Sequence, residues 1–298
     1  LHLSVHSFPT RRSSDLTVLW AFSFSLIGEY LAGEVDSDFA VLTRVACGAL
    51  TFLPLLRWRG LAAGLLLGVV VVGMLQFGVT YLLLYRSFAF LTVPEVLLFT
   101  VFTPLYITLI DDAFYRRFAP VALLAAVIAT LGAVIIRYDG LSPGFLTGFL
   151  LMQGANAAFA AGQVGYKHLF RFYPTTVPAW HYFGFFFLGA LAIALPAFLV
   201  FGDRTMLPTT TTHWTVLGWL GFAASGIGLF LWNRGACLVD AGTLAVMNNV
   251  LVPAGLLVNL LIWNQDANLA RLVAGGTVIG LSLWVNARFS RYARLRLA

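Results

Sequence analysis

One arginine inside an apolar run, Arg44 in FAVLTRVACGALTF, raises the first chemical question of this chain. A central charge in a membrane costs about 2.5–3.5 kcal/mol, so a residue of this kind is expected to have a definite partner. A guanidinium clamps a carboxylate through two parallel hydrogen bonds, which makes Arg44 a candidate substrate residue. The alternative is a structural pair with Glu29 or a helix carbonyl. Asn248 and Asn249 lie just before Pro253, a residue that frees a backbone carbonyl four positions back and kinks its helix. Two amides beside a kink supply donors and acceptors, as a ureido ring or a peptide-like group requires. Interhelical bonding is the competing use of such amides, at about 0.6 kcal/mol per bond.

A second polar group surrounds Pro104, with Phe99, Thr100, Thr103 and Tyr106 close by in sequence. Two interrupted helices in corresponding positions are the best sequence pointer to a carrier's binding site. Either threonine could instead bond back to its own helix. Gln153, Asn156 and Gln163 are spaced to share roughly one helix face, which suits a polar cavity or helix packing. Trp20, Phe22, Phe24, Tyr81 and Tyr85 are candidate walls for an apolar ring. Three carboxylates complete the set. Glu95, after Pro94, is a candidate for coupling or gating and equally a helix-start carboxylate favoured by the dipole. Glu29 is a similar case, and Asp240, ahead of Ala241-Gly242-Thr243, reads better as an N-cap.

These residues need a scaffold, and composition states which kind. Hydrophobic residues make up 60% of the 298 positions and charged residues 10%, with a mean hydropathy of +0.89. A soluble domain carries roughly 25% charged residues, so the chain is expected to be an all-α membrane protein. Each spanning helix takes about 20 mostly apolar residues. About ten such segments fit, near 17–33, 38–56, 62–86, 94–111, 119–137, 144–167, 179–201, 213–233, 241–263 and 270–288.

The formal charge of +6 does not point to nucleic acid, because the basic residues are scattered through short loops and a tail at 289–298. With the N-terminus cytoplasmic, eleven Lys and Arg fall on inner loops and the tail and four on outer loops, so both termini are expected in the cytoplasm. Cys47 and Cys237 lie in apolar segments and imply neither a disulfide framework nor a metal site. No cofactor is expected. His6 to Leu16, HSFPTRRSSDL, back-translates to one frame of a common sequencing adapter, so residues 1–16 are read as an adapter-derived artefact without function.

The chain also repeats itself. YRSFAFLTVPEVLLFTVFTPLY (85–106) resembles NRGACLVDAGTLAVMNNVLVPAG (233–255), aligning Pro104 with Pro253. FSFSLIGEY (22–30) aligns with FAAGQVGYK (159–167), Gly28 with Gly165. Two units, 17–137 and 144–288, would each hold five helices. An odd number makes the second unit inverted, the usual architecture of alternating-access carriers.

WAFSFSLIGEYLAGEVDS, FAVLTRV, LLFTVFTPLYITLI, IIRYDG, AASGIGLFLWN, VDAGTLAVMNN and VPAGLLVNLLIW carry a resemblance over nearly all of 17–298. The chain resembles the drug/metabolite transporter superfamily of EamA type, in its carboxylate/amino acid/amine branch, and most nearly the enterobacterial biotin carriers. That resemblance implies a multi-pass inner-membrane secondary transporter, monomeric or homodimeric. It implies a small-molecule substrate, with biotin uptake expected and transport or export of amino acids, amines or other carboxylates as the alternative. Arg44, Phe99, Thr103, Tyr106, Asn156, Gln163, Asn248 and Asn249 are then the expected substrate residues. Glu29, Glu95, Pro104 and Pro253 are the expected coupling or gating residues. An enzyme is disfavoured: beyond the leader only His168, His181 and His213 occur, with no HExxH or GxSxG. A channel would need a ring of charge or a carbonyl filter, and neither is legible.

Overall fold

The computed structural model describes residues 7–114 and 143–238 continuously, with scattered positions at 116–135 and 248–288. Its described residues form helices and connecting turns, with no strand among them. We number the continuous helices α1 (Ser7–Tyr30), α2 (Ser37–Phe52), α3 (Ala63–Ser87), α4 (Val93–Phe114), α5 (Pro143–Phe172), α6 (Ala179–Phe201) and α7 (Thr211–Ala236). Among the described residues, α2 to α7 are long and apolar enough to cross a membrane. Six of the ten expected segments thus appear with both ends within about five residues of those anticipated. α1 differs most: it starts at Ser7, inside the segment read as adapter-derived. The segments near 119–137, 241–263 and 270–288 lie largely outside the described residues.

Local chemistry accounts for the helix ends. The Asp36 carboxylate accepts from Phe39 N at 2.8 Å and caps α2, which ends in a 3-10 turn at Leu53–Leu55 containing Pro54. Thr210 caps α7 by accepting from His213 N at 3.2 Å. At α4, Glu95 accepts from Thr92 N at 2.8 Å and from Thr92 Oγ1 at 2.9 Å, the reciprocal half of a capping box.

Three helices are irregular inside the bundle. α4 tightens to a 3-10 turn at Thr100–Phe102, immediately before Thr103-Pro104. α3 and α7 loosen to π-helix at Met74–Val79 and Trp219–Gly228. Such deviations concentrate at functional positions.

The helices alternate in direction, so the bundle has two ends. At one, Asp36 N donates to Met206 O at 2.8 Å, and Asp38 pairs with Arg86. At the other, Arg57 N donates to His181 O at 2.7 Å, and His168 Nε2 lies 3.3 Å from Asp111 Oδ1.

The packing is tight where small residues permit it. A Cβ on Gly73 would strike the Phe186 backbone, and one on Gly189 would strike the Val70 carbonyl. A Cβ on Gly221 would meet Cys47 and sit 3.1 Å from Arg44 O. These contacts seat α3 on α6 and α2 on α7. α1 also packs on α7, and α5 on α3. The aligned glycines, however, face different neighbours, Gly28 against Val93 and Gly165 against Val72. Packed phenylalanines fill part of the core, with Phe77 and Phe187 stacked at 4.9 Å between ring centroids and Phe52 and Phe183 edge-to-face at 5.1 Å. The outer surface is apolar as well: Leu67, Val200 and Phe201 are each about two-thirds exposed, as lipid-facing residues would be.

Candidate functional site: a mid-bundle cavity

A cavity opens near the middle of the bundle, between α1, α2, α3, α4, α5, α7 and the position of Asn248. Its wall is mostly apolar, with Trp20, Phe24, Ile27, Leu84, Met152 and Phe159 among the contributors. Polar groups are few and come from different helices: Arg44, Thr80, Thr100, Thr103, Asn156 and Asn248, with Ser23.

Arg44 is held by neutral partners. Its Nε donates to Ser225 Oγ at 2.6 Å and its Nη1 to Tyr85 Oη at 3.3 Å, while its Cζ lies 4.2 Å from the Tyr81 ring centroid. Tyr81 Oη is in turn 3.2 Å from Ser225 Oγ. Neither structural partner anticipated for Arg44 is used: among the described residues no carboxylate pairs with it, and Glu29 lies away from the cavity wall. Ser225 sits within the π segment of α7, and its hydroxyl meets Arg44 of α2. Among the described residues, the guanidinium therefore has no compensating negative charge and retains donors beside the cavity.

Across the cavity, Asn156 spans the break in α4. Its Nδ2 donates to Phe99 O at 2.8 Å, and its Oδ1 accepts from Thr103 Oγ1 at 3.2 Å. Pro104 cannot donate to Thr100 O, so Thr103 N turns to that carbonyl in a 3-10 step, and Asn156 satisfies the Phe99 carbonyl that Thr103 N leaves. Thr100 bonds back to Leu97 O at 2.6 Å, the expected self-bonding alternative. Thr103 instead bonds across helices.

Arg44, Thr103, Asn156 and Asn248 thus line one cavity. Gln163 stands just behind the wall, with its Oε1 accepting from Asn248 Nδ2 at 3.3 Å. Tyr106 is also behind it, donating to Gln153 Oε1 at 3.2 Å. The Phe99 ring points away and packs on Phe145 and Phe149, so only its carbonyl takes part. Glu95 serves as the helix cap at the start of α4 and is not in the cavity wall. Glu29 has one buried carboxylate oxygen without a partner among the described residues. Asn249, Pro253 and Asp240 lie outside the described residues. Of the aromatic candidates, Trp20, Phe24 and Tyr81 line the cavity. Trp20 is fixed by a bond from Nε1 to Ala224 O at 3.1 Å and by Trp232, 4.8 Å away. Phe22 packs on Trp263 instead, and Tyr85 anchors Arg44.

Sequence reasoning missed Ser225, Thr80, Gln76 and Asn233. The last two are fully buried amides one helical turn beyond the wall. The available signal was an uncharged amide within an apolar run, as in GMLQFGV and FLWNRG.

No family model matches the chain. It is 62% identical over 279 residues to a protein of Pseudomonas aeruginosa named "Probable biotin transporter", spanning 94% of this chain and 98% of that one. It is 51% identical to the "Biotin transporter" of Escherichia coli K12, covering 92% and 91% of the two chains. The "Biotin transporter" of Salmonella typhimurium is 50% identical over the same shares. A protein solved by crystallography shares the fold, with a TM-score of 0.68 at 18% identity over 96% of this chain and 99% of that one.

Proposed function

Because this chain belongs to the biotin transporter family, a family of carriers and not of enzymes, we propose that it takes up biotin across the bacterial inner membrane. The observation that carries the reading is Arg44, a buried cation with neutral partners on one wall of a mid-bundle cavity whose other wall holds Asn156 and Asn248. Biotin has the matching polarity, a carboxylate at one end of an aliphatic chain and a neutral fused ring at the other. The carboxylate is bound at Arg44, the chain lies along Trp20, Phe24 and Met152, and the ring faces the amides. A cationic amine would meet Arg44 with like charge, so a carboxylate is favoured over an amine.

The transport cycle is alternating access by two inverted five-helix repeats, as in the wider EamA-type superfamily. The exchange pattern in the packing supports this: α3 on α6 answers α2 on α7, and the π segments of α3 and α7 fall in the third helix of each unit. In this reading the end carrying Arg57, Lys167, Arg171 and Arg234 is cytoplasmic, with both termini. The break at Thr100–Pro104 is the hinge of α4, and Pro253 would be its counterpart. Glu29 of α1, with one buried carboxylate oxygen unpaired among the described residues, is the candidate coupling group.

The test is labelled-biotin uptake in a biotin-auxotrophic bacterium lacking its own importer, with residues 1–16 replaced by a start methionine. Saturable uptake that an uncoupler abolishes is the expected result. A well-inserted protein giving no uptake above the empty vector overturns the biotin assignment.

A further inference from the structure

We infer that Gln76, Gln163 and Asn233 form a second polar subsite, one helical turn below the cavity, that receives the cyclic urea of the substrate. This inference rests on the biotin reading above. Three helices converge on it independently. Thr80, Phe159 and Leu229 line the cavity from α3, α5 and α7. Four residues further along each helix, toward the end carrying Arg57 and His181, stand Gln76, Gln163 and Asn233, all with 0% exposure. Gly162 brings α5 against the Gln76 side chain, and Asn248 bridges the wall to Gln163.

The bonding within this floor is incomplete. Gln76 Nε2 donates to Asn233 Oδ1 at 3.0 Å, and Asn248 Nδ2 donates to Gln163 Oε1. Gln76 Oε1, Gln163 Nε2 and Asn233 Nδ2 are buried without a partner among the described residues. Three helices that each leave an amide half-satisfied, in a bilayer without water to compensate, carry a standing penalty. The orphans comprise one acceptor and two donors. A cyclic urea presents the complement, since its carbonyl oxygen accepts two bonds and its N–H groups donate. Nearly all acyl-chain carboxylates lack such a group, so the floor selects biotin from them while Arg44 binds the feature they share.

The experiment compares uptake by the wild-type chain with the Gln76→Met and Asn233→Leu variants, using three unlabelled competitors: desthiobiotin, the bare cyclic urea imidazolidin-2-one, and hexanoate. The expected result is a KM for biotin raised about tenfold or more, loss of competition by imidazolidin-2-one, and unchanged competition by hexanoate. A merely structural floor would instead leave KM and the order of competitors unchanged while thermal stability moved. A KM within about twofold of wild type with imidazolidin-2-one still competing overturns the subsite. Should either variant fail to insert, the Arg44→Gln protein keeps the floor intact. Thermal protection of that protein by imidazolidin-2-one supports the subsite, and its absence there and in wild type overturns it. A wild-type chain that takes up no biotin overturns the biotin reading and the subsite together, whereas uptake with an indifferent floor overturns the subsite alone.

Discussion

Arg44 Nε donates to Ser225 Oγ at 2.6 Å, joining two helices 181 residues apart in sequence. The bond fixes the guanidinium without neutralising it, because a hydroxyl and the Tyr85 phenol supply no negative charge. A buried cation arranged in this way is pre-organised for an anionic ligand. The Tyr81 face adds attraction from the other side.

Arg44→Gln is therefore expected to raise the KM for biotin by about tenfold to a hundredfold, the cost of a charge-assisted hydrogen bond at about 1.5–3 kcal/mol. Arg44→Lys keeps the charge and loses the planar fork, so it is expected to recover only part of the affinity. Uptake kinetics with biotin and biotin methyl ester check this. Wild type prefers the acid, and the Gln variant treats the two alike.

Asn156→Leu removes both the cap on Phe99 O and the partner of Thr103. Leaving the buried carbonyl unpaired costs about 1–3 kcal/mol. A lower melting temperature in detergent is expected, along with reduced uptake. Thr103→Val leaves the Phe99 bond in place and is expected to affect stability less.

The Asp38–Arg86 pair is bidentate, with an N···O distance of 2.8 Å, and it ties α2 to α3. Asp38 is buried while Arg86 is about one-third exposed, so water screens the pair in part. Arg86→Ala is expected to destabilise by about 1–3 kcal/mol, mainly through the carboxylate left behind. Arg86→Lys is expected to restore most of the loss. Thermal unfolding of the three proteins decides it.

Gly189 and Gly235 make a matched contrast. A Cβ at Gly189 would strike the Val70 carbonyl, whereas at Gly235 nothing lies within 4 Å. Gly189→Leu is expected to cost about 3 kcal/mol or more and to abolish uptake, since backbone cannot give way as a side chain can. Gly235→Ala is expected to fold and transport normally. Membrane levels and uptake are the readouts.

Glu95 shows how far a local pattern reaches. Thr92-Val93-Pro94-Glu95 spells a capping box, and the structure contains one. Phe99 shows where such reading ends. Its neighbourhood to Pro104 was legible, but the direction of its ring depends on Phe145 and Phe149, more than forty residues away. Gln163 belongs to an amide stripe legible in the sequence, and only its bond with Asn248 reveals that it stands behind the wall. Ser225 gave no signal, because a serine among glycines and alanines in a membrane helix is ordinary and its register is altered by the π segment.

By itself, the sequence determined that this is a helical membrane protein, where six of its helices run, that Glu95 serves the start of α4, and that some polar side chains, Arg44 and Asn156 among them, are buried at a cost. Each of these follows from hydropathy, helix periodicity and capping, interactions that act within a few residues. Only the tertiary structure decided that Arg44 turns to Ser225 and Tyr85 and not to Glu29, and that Asn156 spans the break in α4. It also set three half-bonded amides at one level beneath the cavity. Those outcomes depend on helix rotation and depth, which are set by close packing at residues such as Gly73, Gly189 and Gly221 between segments distant in the chain.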